Sequence, residues 1–204
     1  MTQALKTTIP LISTTISQAS VTNYSAQSDE ELASLAQSGQ IPAFDELVRR
    51  HWGGIRRFIL GYLPHGSSDD VAQETFLRAY RKIEQYDDNR PFLPWLFTIA
   101  RRLALNEIRR RNRKAEVSLP DHSPEEAPED EPMSFGPLWQ LAKDRLSADA
   151  YAVLRLHYAD DLSIEEVAQV LGKGKIATKV MLHRARKKLS ALSDQLKDHY
   201  ENPA

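Results

Sequence analysis

Between residues 113 and 137 the chain meets proline at Pro120, Pro124, Pro128, Pro132 and Pro137. Residues 115–132 add seven acids and no Lys or Arg. Proline withholds a backbone donor and clashes with the preceding helical turn, and like charges push the chain apart. The stretch therefore reads as an extended, self-repelling linker. It divides 204 residues into two small domains, 28–112 and 138–192, with a Thr-, Ser- and Gln-rich extension at 1–27 and a polar tail at 193–204. The extension has no helical or strand period and too little apolar surface to offset its ordering entropy, so it reads as flexible.

Both domains carry the period of helices, which makes the expected fold all-α: a helical bundle followed by a helix-turn-helix unit. In the first domain Ser28 and Glu31 form a capping box ahead of a short helix ending near Gly39. Pro42 opens a longer helix, with Phe44, Leu47, Val48, His51, Ile55, Phe58, Ile59 and Tyr62 on one face. Gly53-Gly54 marks a bend or a close helix contact in its middle. His51 has no second His or carboxylate at ligand spacing, and reads as a hydrogen-bonded core histidine rather than a metal ligand. After a break at Pro64-His65-Gly66, Ser67 or Ser68 caps a helix from Asp69 to Ile83 with Ala72, Phe76, Ala79, Tyr80 and Ile83 inward. The next follows an Asn89-Arg90-Pro91 turn, and its apolar stripe is Leu93, Leu96, Phe97, Ala100, Leu103, Ala104 and Ile108.

In the second domain helical period returns at Leu138–Leu146 and Ala150–Tyr158. Ser163 and Glu166 then form a second capping box, and Gly172 ends the helix they begin. A Lys173-Gly174-Lys175 turn leads into a basic helix with Thr178, Leu182, Ala185 and Leu189 inward. Two short helices about a tight turn, the second heavily basic, describe a helix-turn-helix.

The formal net charge of -1 says nothing about nucleic acid, but its distribution does. Residues 101–114 hold seven Arg or Lys against the single acid Glu107, and residues 173–188 hold seven against none. Two such blocks flanking an acidic linker suit two polyanion-binding surfaces. The first lies downstream of Phe92, Trp95 and Phe97 on one helix, and aromatics stack on or wedge between bases while arginines hold phosphates. Asp69 and Asp70 fit the dipole of a helix start, whereas Gln73, Glu74 and the outward Leu77 do not need to be there for that reason; they suit a docking surface for a basic partner.

The absence of cysteine excludes disulfides and thiolate metal sites and fits a cytoplasmic protein. No apolar run is long enough to cross a membrane, and no secretory signal is read before Asp29, where Lys6 is the only charge. His51, His65, Asp87 and Asp88 are scattered, with no nucleophile elbow, phosphate loop or metal spacing, so neither an enzyme nor a cofactor is expected.

The run Asp69-Asp70-Val71-Ala72-Gln73-Glu74-Thr75-Phe76-Leu77-Arg78-Ala79, then Phe92-Leu93-Pro94-Trp95-Leu96-Phe97-Thr98-Ile99-Ala100-Arg101, resembles the second conserved domain of bacterial sigma factors of the extracytoplasmic-function type. Leu182-His183-Arg184-Ala185-Arg186-Lys187-Lys188-Leu189 is similar to the end of the recognition helix in their fourth conserved domain. The resemblance implies a promoter-specificity subunit with core RNA polymerase and promoter DNA as partners, and an anti-sigma factor as its regulator. On that basis Asp69, Asp70, Gln73, Glu74, Leu77 and Arg78 dock on the polymerase clamp. Asn89, Arg90, Phe92, Trp95, Arg102, Asn106, Arg109 and Arg110 open the downstream promoter element, and the acidic linker follows the nascent-RNA path. Lys175, Ala177, Lys179, Val180, Met181, Arg184, Arg186 and Lys187 face the upstream element. Two positions depart from the family: Arg102, where Asn is frequent, and Met181, where Arg is frequent; the second leaves a more apolar reading surface. The alternative is an autonomous helix-turn-helix regulator, with residues 28–112 for effector binding or dimerisation.

Overall fold

The computed structural model describes residues 23–117 and 136–201. Among them are no strands; the elements are α1 Asp29–Gln37, α2 Ile41–Leu60, α3 His65–Arg81, α4 Phe92–Val117, α5 Pro137–Arg145, α6 Ala148–Tyr158, α7 Ile164–Leu171 and α8 Lys175–Glu201. Short 3-10 turns occupy Tyr24–Ala26 and Ile83–Gln85.

The helix starts follow from local chemistry. Ser28 Oγ accepts from the Glu31 amide at 3.2 Å while the Glu31 carboxylate accepts from the Ser28 amide at 2.8 Å. Ser163 and Glu166 repeat the arrangement at 3.3 and 2.7 Å, and Gly172 ends α7 in the left-handed region at φ 61°. Each such cap is worth about 1 kcal/mol. His51 is the hydrogen-bonded core histidine expected, its Nε2 lying 2.6 Å from Asp29 Oδ2.

Several boundaries differ from expectation. α3 begins at His65, because Pro64, extended at ψ 162°, already turns the chain into the helix; Ser68 is fully buried inside it instead of capping it. Tyr80 is 41% exposed, and the inward place belongs to Thr75, whose hydroxyl donates to the Val71 carbonyl at 2.7 Å. Residues 23–27, grouped with the extension, are held: Arg50 donates to the carbonyls of Tyr24, Ser25 and Gln27. Residues 1–22 lie outside the described residues. α4 runs to Val117, so the linker's opening residues continue the helix; Arg113, Lys114, Ala115 and Glu116 favour it and the first proline comes only at Pro120. The body of the linker, residues 118–135, lies outside the described residues. α8 extends through the first part of the expected tail to Glu201.

The two halves share one hydrophobic core, with α4 packed along α7 and α2 against α6. The tightest approach is at Gly61, not at Gly53-Gly54, which α2 passes without interruption. The ring of Tyr151, 1% exposed, lies directly over Gly61, and its hydroxyl donates to the Arg57 carbonyl at 3.2 Å. Beside it Asp149 gathers groups from three separate parts of the chain. It accepts from the Tyr62 hydroxyl at 3.2 Å and pairs with Arg101 at 3.4 Å and Lys173 at 3.1 Å. Deeper in the seam Arg155 pairs with Asp160 at 3.4 Å. Burial pushes the Asp160 carboxyl above its ordinary range, with Arg155 and Arg57 opposing.

Candidate nucleic-acid interface

α3 presents Asp70, Gln73, Glu74 and Leu77 on one exposed or half-exposed strip, with Leu77 45% exposed among the polar groups. Glu74 pairs with Arg78 at 2.6 Å, the i,i+4 spacing that an α-helix brings together. Asp69 stands apart: it turns toward α2 and pairs with Arg56. The apolar part of the strip extends further than the periodicity indicated, since Tyr80 packs edge-on to Phe44 with a centroid distance of 5.0 Å and stays 41% exposed. Trp52, stacked on Phe76 at 5.8 Å, is 37% exposed on the adjoining α2 surface. An aromatic one turn after Phe76 was the sequence signal for Tyr80.

The loop before α4 is held by its own side chains. Asp87 Oδ1 accepts from the Asn89 amide at 3.2 Å and from its side-chain nitrogen at 3.1 Å; Arg90 pairs with Asp87 at 3.1 Å. These Asn89 bonds, then Arg90, hold the Asp87 carboxyl below its usual range. Asn89 and Arg90 themselves remain exposed. Phe92, expected among the melting residues, is fully buried: its amide donates to Glu30 Oε1 at 3.0 Å and its ring lies 5.6 Å from Tyr86 and 5.5 Å from Trp95. In this conformation it orients Trp95 and has no surface of its own to offer a base. Trp95 is half-buried, and one edge lines a groove of about 280 Å³ with Arg78, Lys82, Gln85, Thr98, Ile99 and Arg102. A cationic rim around an aromatic edge is chemistry suited to a nucleobase and its phosphate. Lys82, Gln85 and Thr98 escaped sequence reading because only the fold brings them to Trp95.

At the other end of α4 a groove of about 1050 Å³ separates α4 from α3. Asp70, Glu74 and the Arg78 paired with it line the α3 wall, and Asn106, Glu107, Arg109, Arg110 and Arg113 the α4 wall, where cations outnumber the one acid. Arg110 is partly neutralised by a fork to Glu107 at 2.7 and 2.8 Å, with Arg111 adding a bond at 2.9 Å. Arg110, with Arg111 beside it, holds the Glu107 carboxyl down at about 2. Arg102, Arg109 and Arg113 are exposed, whereas Arg101 is turned to Asp149 in the seam.

α8 buries Thr178, Ala185 and Leu189. Its outward stripe is Ile176, Val180, His183 and Lys187, with Lys179, Arg184 and Arg186 also exposed beside it. Met181, expected at the DNA face, is half-buried and shares a groove with Leu146 and Ala150, while Ala177 borders the same groove. Lys175 pairs with Glu165 of α7 and Lys173 with Asp149, so both cations of the turn are anchored. Among the described residues no cluster of His, Asp or Glu can hold a metal ion, and no helix is long and apolar enough to cross a membrane.

Against known proteins, the family model for sigma-70 region 2 matches residues 47–114 and that for sigma-70 region 4 matches residues 138–189. The ECF RNA polymerase sigma factor SigE of Mycolicibacterium smegmatis is 33% identical over 159 residues, which is 73% of this chain; the chain spans 61% of that relative's length. The RNA polymerase sigma factor CnrH of Cupriavidus metallidurans is 32% identical over 184 residues, covering 81% of this chain and 94% of the relative. The solved structure of CnrH in complex with the cytosolic domain of CnrY superposes with a TM-score of 0.60 at 30% identity, over 82% of this chain and 97% of CnrH.

Proposed function

Because this chain belongs to the sigma-70 family of RNA polymerase sigma factors, in its extracytoplasmic-function branch, we propose that it is a promoter-specificity subunit of bacterial RNA polymerase, acting in the cytoplasm and carrying no catalytic centre of its own. Residues 28–112 bind core polymerase and the downstream promoter element, residues 138–192 bind the upstream element, and residues 113–137 connect them. The observation that carries this reading is the groove between α3 and α4. Asp70 and Glu74 border that groove opposite the arginine-rich end of α4, and the exposed Leu77 continues the same α3 strip outside it, so the two helices offer a basic protein and a polyanion adjoining surfaces. An autonomous helix-turn-helix regulator leaves the α3 strip without a role.

On this reading Asp70, Gln73, Glu74 and Leu77 meet the polymerase clamp, and Asn89, Arg90, Trp95, Arg102, Asn106 and Arg109 meet the opened downstream element. Phe92 acts by positioning Trp95. Opening DNA requires unstacking at a few kcal/mol per step, which aromatic capture and arginine–phosphate contacts offset. Neither DNA surface needs high affinity alone, because polymerase holding both raises their effective concentration. An anti-sigma protein is the expected regulator, in keeping with the complex that CnrH forms with CnrY.

Retention of the chain on immobilised core RNA polymerase tests the proposal. The wild-type chain should be retained, and Asp70→Lys with Glu74→Lys should weaken retention about tenfold or more through like-charge repulsion at the contact. No retention, or retention indifferent to that reversal, refutes it.

A further inference from the structure

The outward stripe of α8 carries two side chains that its positive charge leaves unexplained. Ile176 is 80% exposed and Val180 43% exposed, one helical turn apart, on the face opposite the buried Thr178, Ala185 and Leu189. A lone exposed apolar side chain means little. This pair stands at the first turns of the second helix of a helix-turn-helix, where base edges are met, with Lys179, His183 and Lys187 around it. Lys173 and Lys175 are paired with Asp149 and Glu165, but Lys179, Arg184, Arg186, Lys187 and Lys188 remain on a stretch of α8 without an acid, so the surface they frame is complementary to a polyanion. The apolar group that a polyanion offers in its major groove is the 5-methyl of thymine. The two side chains lie about 6 Å apart along the helix axis, between one and two base steps of 3.4 Å.

We propose that Ile176 and Val180 read thymine methyl groups on neighbouring T·A pairs of the upstream promoter element, replacing hydrogen-bonded readout there by apolar contact. This rests on the promoter-binding role above. Met181 and Val180 both border the groove beside Ala150, but Met181 is half-buried there while Val180 stays exposed, so Val180 and not Met181 is left to read. Flanking lysines set the register on phosphates and carry no sequence information of their own.

Holoenzyme assembled from core polymerase and the full chain first selects duplexes from a pool randomised across the upstream element. Each thymine of the selected element is then replaced singly by deoxyuridine, which lacks only the methyl group. At one or two neighbouring positions affinity should fall about fourfold, the worth of one buried methyl. Ile176→Ala and Val180→Ala should each abolish that discrimination at one position, binding thymidine and deoxyuridine duplexes alike. Both positions are solvent-facing, so thermal unfolding of the variants should match that of the wild-type chain. Deoxyuridine tolerated at every position, or variants that keep the full discrimination, overturn the proposal. So do variants that lose retention on core polymerase instead of DNA affinity, since the pair would then meet protein. A wild-type chain that core polymerase does not retain refutes the sigma reading itself, an outcome seen before any duplex is selected.

Discussion

Gly61 closes α2 in the right-handed conformation, at φ -71° and ψ -16°, so alanine meets no backbone penalty there. With nothing above it, Gly61→Ala would stabilise the protein by about 0.4–1 kcal/mol through the unfolded chain. Tyr151 reverses the sign. An added Cβ would stand 2.7 Å from the ring's Cε1 and nearer still to Cδ1, inside any ordinary contact. The ring has nowhere to move, being 1% exposed and tied by its hydroxyl to the Arg57 carbonyl. Overpacking of this kind costs about 1–3 kcal/mol, which lowers the Tm of a chain this size by roughly 2–4 °C per kcal/mol. A double-mutant cycle isolates the contact. In a Tyr151→Ala background, Gly61→Ala should be neutral or stabilising, and urea-unfolding midpoints of the four proteins supply the coupling. An equal cost in both backgrounds, or a stabilised Gly61→Ala single variant, would show that α6 does not seat on α2 in this way.

Asp149 gives the same seam a pH dependence. Burial disfavours its carboxylate, yet Lys173, Arg101 and the Tyr62 hydroxyl outweigh that and hold its pKa below the ordinary range. A depressed folded-state pKa contributes stability that is present above the ordinary carboxylate pKa and lost as pH falls through the folded value. Energy transfer between labels on α3 and α8 should therefore report loosening below roughly pH 4, and Asp149→Asn should loosen the seam already at pH 7; an unchanged distance in that variant refutes the role. Trp95→Ala should impair promoter opening, read by permanganate footprinting, several-fold more than closed-complex binding. Equal losses would reduce Trp95 to packing within the ring cluster of Tyr86 and Phe92.

Local chemistry was legible in the chain, and long-range packing was not. Ser28–Glu31, Ser163–Glu166 and Gly172 act within a few residues of themselves, so their caps followed directly from spacing. The same holds for the helix-turn-helix; that His51 is hydrogen-bonded followed from its place on an apolar face, but its partner Asp29, on α1, did not. Periodicity failed where a face is set by a distant partner. Phe92 opens α4 before any stripe is established, and its burial depends on Glu30 and His51 from other helices. Tyr80 and Met181 lie at the margins of their stripes, where neighbouring helices decide whether a side chain is covered. Ile176 is adjacent to the turn and was passed over for its charged neighbours, although it stands one turn before Val180. Nothing in the sequence pairs Gly61 with Tyr151, because a glycine at a helix end reads as a terminator until the ring that needs its space is placed above it.

α4 passes without interruption from Phe92 to Val117, about 39 Å at 1.5 Å per residue. In mechanical terms it is a beam clamped at one end. Phe92, its amide tied to Glu30 and its ring set among Tyr86 and Trp95, is the clamp. α3 and α7 support the helix along its buried part, which ends at Ala104, and the turns bearing Arg109, Arg110 and Arg113 lie beyond it. A polyanion held by those arginines acts at the free end of the beam, at the far end of the helix from its aromatic anchor.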